Sequence, residues 1–436
     1  MCHKSVAIAT LGCKVNQFDS EVIREKLVGS GFREVPFDQE ADVYIINTCT
    51  VTGKSDCQSR QLIRRAHRTN PDAVVIATGC YAEVFPRTVS GVDGVSGVLG
   101  NQAKGEVAAI VSRLMMDRKP LVRVPPIGNG ALEQTNVQGF SRRRRAFLKI
   151  QDGCDDDCSY CIVPRARGRS RSLPPEKALD ELRQLRARGY EEAVLTGIHL
   201  GYYGLDLSPA TSLAKFVDLL GDNPNIPPRI RVSSVEPTDF TGELLAAVHA
   251  SKVICPHLHI PLQSGDDEIL SCMNRRYTRE AFRALVLEIV TRIPSISIGL
   301  DVMGGFPGEG ESHFQNTVRL IEELPIAYLH VFPFSPRPGT VAFDLPHRVE
   351  NGEVRRRCAI LRELGQKKRE AFYSRFLDCT VGVLEEETTV DEAGRRKGVS
   401  RNYIPVWIDP GETSLTGEVD VVITEVMGRK VLGTRT

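Results

Sequence analysis

The chain has 436 residues, which at roughly 100–200 residues per domain argues for two to four domains rather than one core. With 56 Lys and Arg against 55 Asp and Glu, the formal net charge is +1, so the chain is not basic throughout and any site for a polyanion must be regional. Apolar residues at 41% and charged residues at 25% are ordinary globular values, and no apolar run approaches the roughly 18 residues of a membrane span, so a soluble protein without membrane contact is expected.

In chain order, the opening MCHKSVAIATLGCKVNQ turns polar too soon after its apolar run to be a secretory signal, which predicts a cytoplasmic protein. Three β-branched runs, Val6–Thr10, Val43–Asn47 and Val74–Thr78, alternate with helical patterns at Ser20–Leu27 and Gln58–His67. This βαβ alternation predicts a parallel-sheet domain over 1–115. Residues 116–139, rich in Pro, Gly and Asn, read as a linker.

Over 140–370 six apolar strand candidates follow: Ala146–Gln151, Ala193–Ile198, Ile230–Val235, Leu258–Gln263, Ile296–Met303 and Leu329–Ser335. Between and after them lie helical patterns at Pro175–Ala187, Leu213–Leu220, Gly242–Ala250, Arg279–Thr291 and His313–Glu323, with apolar residues at three-to-four spacing. Six βα units fit an incomplete (βα)6 barrel, with an open doubly wound sheet as the alternative. Either places function at the carboxyl ends of the strands. After a charged helix at about 352–374, the tail over 371–436 has short runs broken by Gly and Pro: Thr380–Leu384, Tyr403–Ile408, Glu418–Val426 and Lys430–Gly433. These predict a small C-terminal β-barrel, and the whole chain reads as α/β.

Twelve cysteines in a reducing compartment are ligands, nucleophiles or buried small residues rather than a disulfide framework. Cys154, Cys158 and Cys161, in QDGCDDDCSYC, follow the first barrel strand. Three thiolates on so short a loop can hold one iron–sulfur cubane and leave its fourth iron open for chemistry. A zinc knuckle or three unrelated thiols is the bland alternative. Cys13, Cys49 and Cys80 each stand at or just past the end of one N-terminal strand, and in a parallel sheet those ends share one edge. They form a second three-ligand set, against the alternative of small residues buried at strand ends. Cys57, on the helix after Cys49, is a fourth or substitute ligand by position alone.

A CxxxCxxC with Tyr160 before its third cysteine, on a βα array, resembles the radical S-adenosylmethionine enzymes. LGCKVNQFDSE around Cys13, INTCTVT around Cys49 and ATGCYAE around Cys80 are similar to the methylthiotransferase family within them. So are QDGCDDDCSYCIVPRARGRSRS, HIPLQSGDD, GFPGE at 305–309 and SPRPGT at 335–340. The tail resembles that family's RNA-binding TRAM domain. GCKVNQ, KIQDGC and PRARGRSRS are most similar to the branch acting on N6-threonylcarbamoyladenosine at position 37, beside the tRNA anticodon. The isopentenyl-adenosine branch usually shows GCQMN and the ribosomal-protein branch GCPKN.

The resemblance implies two [4Fe–4S] clusters, one on Cys154, Cys158 and Cys161 with S-adenosyl-L-methionine at its open iron, the other on Cys13, Cys49 and Cys80. One S-adenosylmethionine would methylate a sulfide on the second cluster. Another would yield the 5′-deoxyadenosyl radical that takes hydrogen from adenine carbon 2, a bond no side-chain base breaks at neutral pH. Both clusters must then face one cavity. Implied partners are a tRNA anticodon loop, an electron donor of flavodoxin or ferredoxin type, and a sulfur donor. The same chemistry on isopentenyl-adenosine or a ribosomal aspartate is the near alternative. A non-catalytic iron–sulfur RNA-binding protein and a structural zinc protein are the alternatives of another class.

For the cofactor, the resemblance places Tyr160 near the adenine of S-adenosylmethionine, and Gly197, Ser233, Gln263 and Asp301 near strand ends that hold its ribose and methionine parts. Gly304, Gly305 and Gly308 allow close backbone approach. His257 and His259 share one face of a strand, where barrel lining or a hydrogen-bond role is favoured over a metal pair. For RNA phosphates the candidates are Arg142–Arg145, then Arg165, Arg167, Arg169 and Arg171, and the helical set Arg60, Arg64, Arg65 and Arg68. The tail has 8 Lys and Arg against 11 Asp and Glu, so any RNA face there must gather Arg395, Arg396, Lys397 and Arg401. Cys2, Cys57, Cys255, Cys272, Cys358 and Cys379 are left without a required role.

Overall fold

A computed structural model of the chain describes residues 4–128, 130, 132, 139, 144–221, 223–409 and 417–436. It forms two compact units, one of residues 1–139, 151–173 and 335–343, the other of 140–150, 174–334 and 344–436. Cys2, Arg142 and Arg143 lie outside the described residues.

The first unit is built on a six-stranded parallel sheet: β1 (Ser5–Thr10), β2 (Arg33–Glu34), β3 (Val43–Thr48), β4 (Val74–Gly79), β5 (Gly97–Leu99) and β6 (Leu121–Arg123), in the order β2-β1-β3-β4-β5-β6. Between the strands run α1 (Lys14–Gly29), α2 (Gly53–Thr69), α3 (Cys80–Val84), α4 (Pro86–Ser90) and α5 (Val107–Asp117). Alternate residues feed two cores. Ala7, Tyr44, Ile46, Val75 and Ala77 pack on one face, while Val6, Val43, Ile45, Val74 and Ile76 pack on the other. Burial on both faces explains why these strands read as unbroken apolar runs. The strand order reverses between β1 and β3, and in open α/β sheets the crevice beyond such a reversal is where ligands bind. Within residues 116–139, expected as a linker, Leu121–Arg123 pairs in register with Gly97–Leu99 as the sixth strand. Three residues are too few to show a period, and only the neighbouring edge makes them a strand.

Further along come β7 (Arg145–Lys149), the hairpin strands β8 (Gln151–Asp152) and β9 (Arg171–Ser172) with α6 (Val163–Arg167) between them, and then α7 (Pro175–Ala187), β10 (Glu192–Thr196), α8 (Leu213–Leu220) and β11 (Arg229–Val232). After these follow α9 (Gly242–Ala250), β12 (His257–Gln263), α10 (Asp267–Cys272), α11 (Arg279–Arg292), β13 (Ser297–Gly304), α12 (Glu311–Glu323), β14 (Tyr328–Pro333) and α13 (Asn351–Ser374). The hairpin and α6 belong to the first unit.

In the second unit β7, β10 and β11 pair in parallel, as do β12, β13 and β14, and the bridges Ile230↔Ile254 and Ser234↔His259 join the two sets. The resulting order β7-β10-β11-β12-β13-β14 never reverses, so successive right-handed crossovers put every helix on one side and the sheet curls. The partial barrel, not the doubly wound alternative, is the fold. Its core includes Leu258, Ile260, Leu262, Ile298, Leu300 and Val302 against Phe282, Phe314 and Leu361.

The tail closes as a barrel of β15 (Thr380–Val390), β16 (Arg396–Ser400), β17 (Pro405–Ile408), β18 (Glu418–Met427) and β19 (Lys430–Arg435), in the order β15-β16-β17-β19-β18. Strand β16, absent from the sequence-based expectation, reads RKGVS and owes its state to antiparallel pairing with β15 and β17. No helix among the described residues is long and apolar enough to cross a membrane.

Candidate active site

The three N-terminal cysteines stand where the strand ends put them. Cys13 caps α1, Cys49 directly follows β3 and Cys80 opens α3. Thr10, Asn47 and Thr78 are in register across β1, β3 and β4, so the three chain ends leave the sheet side by side at the β1/β3 reversal. Each runs toward a helix N-terminus, whose backbone N–H groups favour negative sulfur. Gly12 is tight: at φ +93° it meets what only glycine tolerates, since a Cβ there would lie 2.8 Å from both Cβ and Sγ of Cys49. Asn16, buried behind the turn, donates from Nδ2 to the carbonyls of Leu11 (2.8 Å) and Thr48 (2.9 Å) and so ties the Cys13 turn to the chain entering Cys49.

The second triad lies on the hairpin loop. The backbone N–H of Cys154 bonds the Gly168 carbonyl at 3.0 Å and that of Cys161 bonds the Cys158 carbonyl at 3.0 Å. The Asp156 N–H reaches the Cys154 sulfur at 3.4 Å. Gly153 repeats the logic of Gly12, because at φ +80° its Cβ would stand 2.0 Å from the Arg169 carbonyl oxygen.

The donor chemistry fits polynuclear clusters. Burial pushes the Cys49 thiol up to about 11, and negative charge on Cys80 and Cys13 adds to it. Cys13 is exposed on one side, yet crowding by protein on the others also pushes its thiol up, while Arg167 pulls it down. Three thiolates that repel one another call for a cationic core between them. Among the described residues, neither triad has its three sulfurs all within 4.8 Å of one another. A single tetrahedral ion at about 2.3 Å from each sulfur would need them roughly 3.8 Å apart. Neither triad therefore has the spacing that a single tetrahedral ion imposes. Cys57 lies exposed on α2.

Two further features of this unit escaped sequence reasoning. The first is the role of Arg167, expected as an RNA-phosphate ligand but fully buried on α6, where it reaches the Cys80 sulfur. The second is the segment around Arg337. Its Nη2 donates to Asp56 Oδ2 at 2.6 Å and to Thr50 Oγ1 at 2.7 Å, and Thr50 in turn donates to Asp56 Oδ1 at 2.7 Å. Ser335 Oγ accepts from the Gly53 N–H, and the Ala342 N–H bonds the Ser159 carbonyl. The SPRPGT run and the residues just after it thereby hold both the turn after Cys49 and the loop of the second triad. The signal was a buried-type Arg between two prolines, which composition alone does not separate from a surface turn.

Tyr160 is half-buried in the turn before Cys161. In the second unit Gly197 and Ser233 directly follow β10 and β11, and Gln263 ends β12 with φ +61°, an uncommon conformation for a non-glycine residue that marks a constrained site. Asp301 differs from the strand-end expectation, since it sits mid-strand in β13. Its Oδ1 pairs with His259 Nε2 at 2.9 Å and His330 Nδ1 at 3.3 Å. Burial opposes its charge, but these two hydrogen bonds hold its carboxyl well below the usual range. His257 Nε2 and His259 Nδ1 both meet the Tyr328 hydroxyl, at 2.9 and 3.2 Å, the hydrogen-bond role favoured for that pair. Gly304 and Gly305 abut α13, where a Cβ would meet Cys358 and Val354 respectively, while Gly308 is open.

The basic residues separate into two groups. Arg64, Arg65 and Arg68 are exposed on α2. Of the set after the second triad only Arg165 and Arg169 are exposed, whereas Arg167 and Arg171 are buried. All four tail candidates are engaged: Arg395 with Asp409 at 3.1 Å, Arg396 with Glu385 at 3.7 Å, Lys397 with Glu386 at 3.8 Å and Arg401 with Glu418 at 2.9 Å. The four basic residues expected to gather on one face there each have an acid within 3.8 Å, so their charge is partly offset.

Residues 5–100 match the uncharacterized protein family UPF0004, and residues 148–321 match the radical SAM superfamily. The threonylcarbamoyladenosine tRNA methylthiotransferase MtaB of Bacillus subtilis is 37% identical over 95% of this chain and 92% of its own length. The enzyme of the same name from Aquifex aeolicus is 40% identical over 85% and 90%. The tRNA-2-methylthio-N(6)-dimethylallyladenosine synthase of Moorella thermoacetica is 32% identical over 96% and 95%. Among solved structures, the radical S-adenosylmethionine methyltransferase TsrM from Kitasatospora setae shares the fold, with a TM-score of 0.55 at 18% identity over 78% of this chain and 77% of that one. With identities of this size along nearly the whole length, the chain belongs to the methylthiotransferase family of radical S-adenosylmethionine enzymes.

Proposed function

We propose that this chain is a tRNA methylthiotransferase that places a methylthio group on carbon 2 of N6-threonylcarbamoyladenosine at position 37, beside the anticodon. The observation that carries the reading is the presence of two cysteine triads within one compact unit, in a chain whose curated relatives at 37–40% identity bear that activity in their names. Cys154, Cys158 and Cys161 would hold the cluster that binds S-adenosyl-L-methionine, and Cys13, Cys49 and Cys80 the second cluster. When bound, these groups supply one-electron chemistry able to break an unactivated C–H bond and deliver sulfur.

The chain's own residues do the positioning. Asn16, Gly12 and Gly153 fix the backbone of the cysteine turns, and the Arg337 segment clamps two of the loops together. Tyr160, Gly197, Ser233, Gln263 and Asp301 are the side chains and backbone proposed to hold the cofactor. Helix α2 carries Lys54, Arg60, Arg64, Arg65, His67 and Arg68 against one acid, Asp56, which is buried and paired with Arg337. That cationic face suits the phosphates of an anticodon loop, whose unstacked purine needs little energy to enter a pocket. An electron donor of flavodoxin or ferredoxin type, a sulfur donor and a cytoplasmic setting complete the proposal.

Mass spectrometry of tRNA nucleosides from a deletion strain tests it. The 2-methylthio threonylcarbamoyl nucleoside should vanish, return with the wild-type gene and stay absent with Cys13→Ala or Cys154→Ala. Loss of the isopentenyl counterpart instead would favour the activity named for the relatives at about 32% identity.

A further inference from the structure

Arg167 stands six residues past Cys161, on α6, and its side chain is 1% exposed. A buried guanidinium must find an acceptor for each of its donors or lose several kcal/mol. Here its three nitrogens together reach three chain segments. Nε donates to the Cys80 sulfur at 3.4 Å. Nη1 bridges Asp19 Oδ2 at 2.9 Å, on the helix that Cys13 caps, and Asp152 Oδ2 at 3.2 Å, two residues before Cys154. Nη2 donates to Asn16 Oδ1. Asp19 also takes Lys104 Nζ at 2.6 Å, and Asp152 has Arg171 Nη2 at 4.0 Å. One fork thus ties together the chain segments bearing Cys13, Cys80 and Cys154.

The contact to Cys80 has a consequence beyond architecture. A hydrogen bond and a positive charge on a ligating sulfur draw electron density from the iron, and hydrogen bonds to sulfur and net charge are levers that set cluster potentials. Arg167 also acts electrostatically on Cys13, so two of the three ligands feel it. Asp19, sharing the same guanidinium, partly offsets that field.

We propose that Arg167 is a positioning residue that raises the reduction potential of the cluster on Cys13, Cys49 and Cys80 while fixing that cluster's turns to the loop of the other triad. This rests on the function proposed above. The test uses full-length protein with Cys154, Cys158 and Cys161 changed to Ala, so that a single cluster titrates, and follows its midpoint by electron paramagnetic resonance. Arg167→Gln should lower the midpoint by at least 59 mV, a tenfold change in the one-electron equilibrium. Arg167→Lys, which keeps charge but not the fork, should recover part of that. Asp19→Asn, which removes the offsetting charge, should move it upward.

A midpoint indifferent to residue 167, or equal in the Gln and Lys variants, overturns the proposal. Should Arg167→Gln hold no iron, Asp19→Asn decides alone: an upward shift supports the electrostatic role and any other result refutes it. A parent protein that binds no iron at Cys13, Cys49 and Cys80 would instead refute the proposed function, an outcome separable by iron analysis before any potential is measured.

Discussion

Glu192 opens β10 with no exposed surface and accepts from two buried arginines. Arg229 Nε lies 2.9 Å from Oε2, and Arg231 Nε and Nη2 lie 3.1 Å from Oε1 and Oε2. The same arginines continue into the C-terminal barrel, Arg229 to Glu418 and the Val399 carbonyl, Arg231 to the Arg401 carbonyl. Glu192 is therefore the anion at the joint between the partial barrel and the tail. Glu192→Gln keeps its shape and removes its charge. Burial raises the carboxyl, but Arg231 and Arg229 bring it down to about 2 from 4.5, which corresponds to about 3 kcal/mol at neutral pH. Loss of one partner from a buried pair costs a similar amount, about 3–5 kcal/mol.

The pH signature has a definite sign. A depressed carboxyl contributes stability that is full above about 4.5 and is lost as pH falls toward about 2, so the wild-type unit should weaken across that window and the Gln variant should lack this component. A loss of about 3 kcal/mol lowers Tm by roughly 6–12 °C for a unit of this size. Trp407, the chain's single tryptophan, lies on β17, so its fluorescence reports the tail while circular dichroism reports the whole. A variant melting within about 2 °C of wild type with the same acid profile would refute the reasoning.

Two other outcomes follow from the first unit. Arg337→Met leaves Asp56 buried without its cation and should destabilise that unit by about 3 kcal/mol, seen as a lower denaturation midpoint; an unchanged midpoint would show that the SPRPGT segment is not the clamp described. Arg64→Ala, Arg65→Ala and Arg68→Ala together should weaken anticodon stem-loop binding and flatten the slope of log affinity against log salt by about 2–3, without altering iron content. A binding slope equal to that of wild type would exclude α2 from the RNA face.

Much of the fold was legible because its elements obey strong periods. Helices Pro175–Ala187, Leu213–Leu220 and Gly242–Ala250 have the boundaries their apolar spacing predicts, and the buried strands are runs of β-branched residues. Strands β6 and β16 were not legible, since a three-residue edge and a charged RKGVS become strands only through their partners. Basic residues misled for a related reason: the sequence shows charge but not the acid facing it. Arg395, Arg396, Lys397 and Arg401 look like a polyanion site until Asp409, Glu385, Glu386 and Glu418 are opposite them.

The sequence by itself determined the chemistry on offer: which residues are thiols, how the CxxxCxxC is spaced, and that Cys13, Cys49 and Cys80 each stand at or just past the end of a strand. Covalent spacing and strand period suffice for those statements. Only the tertiary structure decided that Arg167 bonds the Cys80 sulfur 87 positions away, that Arg337 clamps the turn after Cys49 from 287 positions away, and that Glu192 anchors the tail. Those contacts hold because burial leaves a charged group no water to turn to, so its partner is whatever the packed chain brings near, and sequence distance carries no information about that.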